Sequence, residues 1–234
     1  MPTSVQFFTG LLNRMPSTTP PLKHGSLLPN TFFMSYLILL GYTTITLIEA
    51  IRTPSINVRH IMNLETTVSI VASIVYGIFN ERIKTPDYKL SEFTQFRYLD
   101  WIVTTPLIIL GLLLFYNQNL SSIPYMTFFT AVVFDWLMLY AGYLGETGAI
   151  KKITGTVVGF GFLIALLYTM ANCCIPKSSN LSAFIVFAIL WSLYGVAYQL
   201  EEEDKNIAYN ILDVFSKALF GVGLWFYYGK VLKF

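Results

Sequence analysis

Charged residues are scarce in this sequence. They make up 12% of its 234 residues, whereas hydrophobic residues make up 55%. In ordinary water-soluble domains about a quarter of the residues are charged, so this composition excludes that class and predicts an integral membrane protein. The net charge of +2 is too small to indicate a nucleic-acid partner.

Cysteine is also rare, and a secretion signal is not evident. Cys173 and Cys174 are adjacent in the sequence, and adjacent cysteines very rarely bridge each other, so no disulfide framework is predicted. The first thirty residues lack a charged start followed by a continuous apolar core, and Pro20 and Pro21 interrupt them, which argues against a cleavable signal peptide. Residues 4–15 fit either a short amphipathic helix at the membrane surface or an unstructured tail.

Apolar segments of helical length fill the rest of the chain, and the period-2 alternation of β-barrel strands is absent from them. The segments lie at about 31–51, 60–80, 95–116, 122–145, 150–172, 181–200 and 206–230. Spans of roughly 20 residues cross a bilayer. We therefore predict an all-α bundle of seven transmembrane helices over residues 31–234, preceded by an N-terminal segment over 1–30. The acidic run 201–204 is expected in the loop before the last helix.

The last segment carries a lysine, Lys217, near its middle. An ionisable group at membrane depth costs roughly 2.5–3.5 kcal/mol on insertion scales, which makes it a candidate functional residue. Lys217 could form a structural ion pair with Asp213, one helical turn earlier. Alternatively, its amine could be consumed covalently as an imine to an aldehyde. This segment alone leaves both interpretations open.

The third segment places three polar residues on one helix face. Arg97, Asp100 and Thr104 are spaced i, i+3, i+7. The Thr104 hydroxyl is expected to bond the Asp100 carboxylate, although a threonine that bonds its own helix backbone is the simpler alternative. If Arg97 and a protonated imine on Lys217 are positive, then Asp100 and Asp213 make the buried cluster neutral. A low-dielectric interior tolerates such a paired cluster, so we expect both acids to face Lys217.

Several of these stretches resemble the microbial, or type I, rhodopsins. The similar stretches are 97–101 with 104–107, 212–217, the tetrapeptide 191–194, and the spaced residues Asp135, Met138 and Gly142. The resemblance covers all seven predicted helices. It implies a covalently bound retinal and a light-driven ion transporter rather than an enzyme.

The resemblance also implies individual roles. All-trans-retinal would be attached to Lys217 as a protonated Schiff base, with Asp100 as primary counterion and proton acceptor. Asp213 would be the second counterion, and Arg97 the gate toward the extracellular side. The residues that would line the retinal pocket are Trp101, Thr105, Pro106, Met138, Gly142, Trp191 and Tyr194. A flat polyene needs a narrow apolar slot with aromatic walls, and 16% of the residues are aromatic.

Departures from the family pattern concern the proton donor. Outward proton pumps of the family have a carboxylate eleven residues after the acceptor, where this sequence has Gly111. Gly195 replaces a usual proline, and Tyr198 replaces a tryptophan. Glu65 is expected to replace the missing donor, since a glutamate in apolar surroundings can hold a proton and later release it. In the alternative, Glu65 only forms hydrogen bonds with neighbouring helices.

The spacing of Arg52, Arg59, Glu65 and Trp225 is similar to that of the giant-virus rhodopsins, a branch with pentameric members that includes proton transporters and light-gated cation channels. A homo-pentamer is expected on that basis, with Arg52 or Arg59 facing a central pore. The alternative is that these arginines reach lipid phosphates at the interface. Glu49 is expected to pair with Arg52.

The family topology puts the N-terminus outside and the C-terminus in the cytoplasm. The distribution of lysine and arginine among the loops does not favour this orientation, which rests on the resemblance alone.

Three functions fit this sequence. An outward proton pump is favoured by Asp100, with the acidic run 201–204 assisting proton release. A light-gated cation channel lined by Asn63 and Glu65, or a photosensor, fits the missing donor at Gly111. A seven-helix protein without retinal, in which Lys217 is only an ion-pair partner, is the fourth alternative. Sodium and chloride pumping are disfavoured by the residues at 100 and 111, and no metal site is predicted.

Overall fold

A computed structural model describes residues 25–117, 123–174, 181–219 and 221–223. Within these ranges the regular secondary structure is helical, and no strand occurs. The helices are α1 Leu28–Arg52, α2 Ile56–Arg82, α3 Leu90–Asn117, α4 Tyr125–Glu146, α5 Lys152–Cys174, α6 Ser182–Ala197 and α7 Glu202–Asp213. A π-helical turn, Val214–Leu219, continues α7. The predicted seven-helix architecture is confirmed.

Helix boundaries differ from the predicted ones mainly at the N-terminal ends. Helix α1 begins at Leu28, so the predicted boundary at residue 30 lies inside the helix. Helix α2 begins at Ile56 because the Ser55 side chain accepts a hydrogen bond from the Val58 amide and so caps the first turn. The predicted surface helix 4–15 and Trp225 lie outside the described residues.

The acidic run 201–204 is not a loop, contrary to the prediction. Glu201 is the N-cap residue of α7, and Glu202, Glu203 and Asp204 form its first turn. Carboxylates are favoured in the first turn because the helix dipole presents partial positive charge there. The acidic run 201–204 therefore marks the start of α7.

The outer surface of the bundle is apolar. Within the described residues, five helices, α1 to α5, are long and apolar enough to cross a membrane, and α6 is a shorter apolar helix. Large hydrophobic side chains stand on this surface, for example Ile74 at 59% and Ile164 at 66% exposure. Such a surface is stable against lipid and costly in water.

Helix α3 passes through the middle of the bundle and contains Pro106. A proline cannot donate a backbone hydrogen bond, so the Ile102 carbonyl one turn earlier lacks its helical partner. The indole Nε1 of Trp136 in α4 donates to that carbonyl at 3.1 Å. A neighbouring helix thus satisfies the backbone group that the proline frees.

Candidate functional site

The lysine predicted as the reactive group lies at the centre of the bundle. Lys217 belongs to the π-helical turn, and its side chain is 1% exposed. Its Nζ forms a close ion pair with Asp100 Oδ2 and lies 3.5 Å from Asp213 Oδ2. Short π-helical turns inside α-helices frequently occur at functional sites. The expectation that both acids face Lys217 agrees with this arrangement.

Asp213 accepts hydrogen bonds from several neighbours. Tyr76 Oη donates to Oδ2 at 2.9 Å, and Arg97 Nη1 donates to the same oxygen at 3.3 Å. Tyr194 Oη at 2.5 Å and Trp101 Nε1 at 3.3 Å donate to Oδ1. Four donors from three helices besides its own therefore fix this carboxylate, and hydrogen bonds to a carboxylate favour its ionised form.

Arg97 is fully buried and held by two residues that the sequence analysis missed. Its Nε donates to Asn206 Oδ1 at 3.3 Å, and Nη2 donates to Asn210 Oδ1. The guanidinium carbon also lies 5.1–5.7 Å from the ring centroids of Phe32, Tyr76, Phe79 and Tyr209. The spacing of 206, 210 and 213 puts both asparagines on the Asp213 face of α7, a signal that could have found them.

The predicted bond between the Thr104 hydroxyl and the Asp100 carboxylate is wrong. Thr104 Oγ1 donates instead to the backbone carbonyl of Asp100 at 2.9 Å, the alternative considered from the sequence. A helical threonine reaches the carbonyl four residues earlier without moving the backbone, so this bond competes with side-chain partners. Asp100 Oδ1 is buried and has no hydrogen-bond partner among the described residues. An orphaned carboxylate oxygen beside Lys217 fits a site that gains a further group or proton.

An apolar cavity of about 760 Å³, counted with its opening, adjoins Lys217. Its walls are mostly aromatic and aliphatic side chains from α3 to α7. Six of the seven predicted pocket residues line it, namely Trp101, Thr105, Met138, Gly142, Trp191 and Tyr194, whereas Pro106 does not. Tyr98 and Tyr209 also line the cavity and were not among the predicted pocket residues.

Two glycines allow rings to approach the cavity walls. A Cβ atom at Gly142 would lie 2.8 Å from Tyr98 Oη, and one at Gly195 would lie 2.6 Å from Phe160 Cζ. Both distances are too short for a carbon at rest, so a larger residue at either position would displace a ring. Gly195, noted as a departure from the family pattern, thus makes room for Phe160.

A second buried aspartate links α3 to α4. Asp135 Oδ2 is hydrogen-bonded to Thr105 Oγ1, which also donates to the Trp101 carbonyl at 2.7 Å. A hydroxyl has a single proton, so both contacts are made as hydrogen bonds when Asp135 is protonated and donates to Thr105. Asp135 and Thr105 thereby fix the cavity wall next to Trp101.

Glu65 is buried in α2 at 2% exposure, and Tyr42 Oη of α1 donates to its Oε2 at 3.2 Å. A Cβ atom at Gly111 would lie 3.8 Å from Glu65 Oε1, so the carboxyl group occupies the space beside the position where the usual donor is missing. A Cβ atom at Gly221 would collide with Tyr42 Oη and Glu65 Oε2. Glu65 therefore lies against the helical stretch 221–223, which follows the π-helical turn that carries Lys217.

Residues at the helix ends match some expectations and not others. Glu49 Oε2 accepts a hydrogen bond from Arg52 Nη2 at 2.9 Å, so this expected pair is present. Arg59 Nη2 donates to the Thr53 carbonyl at 2.9 Å. Asn63 is exposed whereas Glu65 is buried, because two residues along a helix point to nearly opposite sides. The two side chains therefore do not face the same space in this structure, and a light-opened pathway lined by both stays a prediction of the channel alternative.

A seven-helix protein that buries one lysine between two aspartates, at the end of an apolar aromatic cavity, has the fold and site of a chromophore-binding membrane protein. The sequence pattern of the family described as bacteriorhodopsin-like protein matches residues 28–231. The chain therefore belongs to the bacteriorhodopsin-like family of integral membrane proteins, whose members bind retinal.

Known relatives include the green-light absorbing proteorhodopsin of Gamma-proteobacterium EBAC31A08, which is 25% identical over 150 residues, 56% of this chain and 60% of the relative. Archaerhodopsin-2 of Halobacterium sp. (strain aus-2) is 25% identical over 170 residues, 64% of this chain and 63% of the relative. The matches thus span about three fifths of these curated relatives. The crystal structure of the viral rhodopsin OLPVRII superposes with a TM-score of 0.82 at 38% identity, covering 88% of this chain and all of that one.

Proposed function

We propose that this protein is an outward light-driven proton pump that carries all-trans-retinal on Lys217. One observation carries the proposal, namely that Lys217 lies between two buried carboxyl groups. Asp100 contacts its Nζ directly. Glu65 lies against Gly221, which follows Lys217 in the chain, while Asp213, which also contacts Nζ, precedes it by one helical turn. Proton transport through a nitrogen needs an acceptor and a donor on different sides of it.

The residues fit retinal as the bound group. The cavity beside Lys217 is apolar and lined by aromatic side chains with few polar groups, as small-molecule pockets are. Lys217 Nζ would form the covalent link, and Trp101, Met138, Trp191 and Tyr194 would hold the polyene. When bound, retinal supplies light absorption and an isomerisation that changes the direction of the nitrogen-bound proton.

The chain's own side chains account for the proton steps. Asp100 Oδ2 is within hydrogen-bond reach of Lys217 Nζ and accepts the proton. Asp100 Oδ1 has no hydrogen-bond partner among the described residues, so no second donor competes with the transferred proton for this carboxylate. Asp213 remains the ionised partner because Tyr76, Tyr194 and Arg97 donate to it. Glu65 then returns a proton to Nζ through the space beside Gly221.

The test is illumination of unbuffered vesicles with the retinal-loaded protein in known orientation, while external pH is recorded. Transport that a protonophore abolishes supports the pump. Glu65→Gln should slow the recovery of the proton at Lys217 Nζ at least tenfold, since an amide cannot donate in place of a carboxylic acid. Glu49→Gln, which alters a carboxylate at the end of α1, is the matched control and should not. A coloured, light-responsive protein without any pH change would refute the proposal.

A light-gated cation channel is the second candidate, and a row of buried hydroxyl groups between α1 and α2 favours it. Thr66 Oγ1 donates to Thr46 Oγ1 at 2.9 Å across these helices, and Ser69 and Ser73 continue the row along α2. With Glu65 at its start, this row could hydrate in the illuminated state. Voltage-clamp currents that reverse with the cation gradient would establish the channel, and their absence together with absent pH changes would leave a photosensor.

Topology and assembly belong to the same proposal. The N-terminal segment 1–30 would be outside and the C-terminus cytoplasmic, as in the family resemblance, with a homo-pentamer in the membrane. Protease accessibility of tags at each end of the chain in sealed vesicles tests the orientation. Native mass spectrometry from mild detergent tests the pentamer, and a monomer under all mild conditions would contradict it.

A further inference from the structure

A fully buried lysine lies at the end of the bundle, outside the site described above. Lys205, in the first turn of α7, has a side chain 0% exposed. Its Nζ lies 2.9 and 2.7 Å from the two carboxylate oxygens of Glu146 and 2.6 Å from Glu202 Oε1. An ammonium has three N–H donors, and all three are used. We call Glu146, Glu202 and Lys205 the ion triad; it ties the last residue of α4 to the first turn of α7.

Hydrogen bonds connect the ion triad to the functional site. Thr94 Oγ1 donates to Glu202 Oε2 at 3.0 Å and accepts from Asn206 Nδ2 at 3.1 Å. Asn206 Oδ1 in turn accepts from Arg97 Nε at 3.3 Å. Arg97 is the residue that bonds Asp213. An unbroken chain of contacts therefore runs from the triad to the Lys217 counterions.

The charge of the triad follows from its members. Two carboxylates and one ammonium carry a net charge of −1, and Lys205 neutralises one carboxylate. Without the ammonium, the buried Glu146 carboxylate and the partly exposed Glu202 carboxylate would lie together, uncompensated, at the end of a chain that begins at the Arg97 guanidinium. A buried cation is attracted to uncompensated negative charge, and low-dielectric surroundings strengthen that attraction.

We propose that Lys205 is a positioning residue that keeps Arg97 beside Asp213 by holding the charge of the ion triad at −1. Loss of Lys205 draws Arg97 toward Glu146 and Glu202 and removes positive charge from the neighbourhood of Asp100. The inference rests on the proposed attachment of retinal to Lys217 and on Asp100 as its counterion. It is independent of the occurrence and direction of transport.

Other charged groups near these residues stay constant in the comparison that follows. Lys152 of α5 interacts electrostatically with all three members of the triad, and its Nζ donates to the Leu200 carbonyl at 3.3 Å. The remaining acids of the same helix turn are Glu201, Glu203 and Asp204. The charged groups that face Asp100 are Lys217, Asp213 and Arg97.

Three variants separate charge from packing. Lys205→Met gives the triad a charge of −2, and Glu146→Gln gives it zero. The double variant Lys205→Met with Glu146→Gln restores the charge of −1, which Glu202 alone then carries. If Lys205 acts through charge, the double variant resembles the wild type more than Lys205→Met does.

The first readout is acid titration of the visible absorption band in the dark, whose midpoint reports protonation of Asp100. One additional buried charge in the neighbourhood typically moves such a midpoint by about one pH unit. Lys205→Met should raise the midpoint by about that amount, because negative charge favours the protonated carboxyl group. Glu146→Gln should lower it, and the double variant should return toward the wild-type value. A double variant that titrates like Lys205→Met overturns the proposal.

The second readout is thermal unfolding of the retinal-free protein, which does not depend on pigment formation. Lys205→Met should unfold at a lower temperature than the wild type, and the double variant should recover part of the loss. If Lys205→Met does not fold, Glu146→Gln carries the titration test, and an unchanged or raised midpoint overturns the inference. If the wild type binds no retinal, the proposed function fails. The unfolding series then decides, since a double variant no more stable than Lys205→Met refutes the charge balance.

Discussion

Gly221 and Gly223 lie in the short helical stretch 221–223 and have opposite surroundings, so alanine substitution should affect them differently. A Cβ atom at Gly221 would collide with Tyr42 Oη and Glu65 Oε2. A Cβ atom at Gly223 would meet no other atom within 4 Å among the described residues. Gly223→Ala is therefore a matched control for Gly221→Ala in the same short helical stretch.

The expected magnitudes follow from these contacts. Overpacking a filled interior typically costs about 1–3 kcal/mol. The flexible ends of Tyr42 and Glu65 can move apart, but their 3.2 Å hydrogen bond then breaks, and a buried group left without a partner costs about 1–3 kcal/mol. Gly223→Ala should instead gain up to about 1 kcal/mol of helix propensity. Because Gly221→Ala gains the same propensity, the two variants should differ by the two contact terms, roughly 2–6 kcal/mol, or on the order of 4–24 °C in Tm for a chain of this length.

Thermal unfolding followed by loss of the visible band measures this difference. Gly221→Ala should also slow proton return to Lys217 Nζ, which flash photolysis records, because Glu65 is displaced. Adding Tyr42→Phe to Gly221→Ala removes one colliding oxygen and should recover part of the stability. Equal Tm values for the two alanine variants would refute the reasoning, since they would mean that the stretch 221–223 does not pack closely against Glu65.

Three further predictions concern single side chains. Asp100→Asn should abolish light-induced deprotonation at the lysine nitrogen, because an amide cannot accept that proton; a deprotonated species seen by flash photolysis would contradict this role. Trp136→Phe should cost about 1 kcal/mol in thermal unfolding, because it removes the donor to the Ile102 carbonyl and keeps a ring; an unchanged Tm would show that the carbonyl finds another partner. Leu112→Ala, at a fully buried position, should cost about 2–5 kcal/mol of stability in thermal unfolding. Ile189→Ala, at a position 54% exposed on the outer surface, should cost much less. Similar losses would place position 112 outside the core.

Much of the central site could be predicted because charges in an apolar interior have few alternatives. Arg97, Asp100, Asp213 and Lys217 had to compensate one another, and one-turn spacings along two helices gave their faces. Thr104 could not be assigned in the same way, because a hydroxyl group is satisfied equally well by its own helix backbone. The spacing of Asn206 and Asn210 relative to Asp213 indicated the helix face on which they lie. It did not identify Arg97 as their partner, since a neutral amide at membrane depth imposes no requirement for an opposite charge.

Close approaches between helices were equally outside the reach of the sequence. Gly111 and Gly221 are two of the chain's 15 glycines, and nothing in the local pattern distinguishes them from the others. Their meaning depends on the carboxyl group of Glu65, which comes from a third helix. Residues distant along the chain meet there only because the bundle brings α2, α3 and the stretch 221–223 together.

The sequence by itself determined the seven-helix architecture, the membrane environment and the charged centre, because hydrophobic length and the cost of buried charge depend on residue type alone. The tertiary structure decided which polar groups face each other across helices. It placed Lys205, for which the sequence analysis made no prediction, in a buried ion triad, and it put Lys217 on a π-helical turn. Helical periodicity fixes the direction in which a side chain points, but the packing distance between helices fixes what that side chain meets.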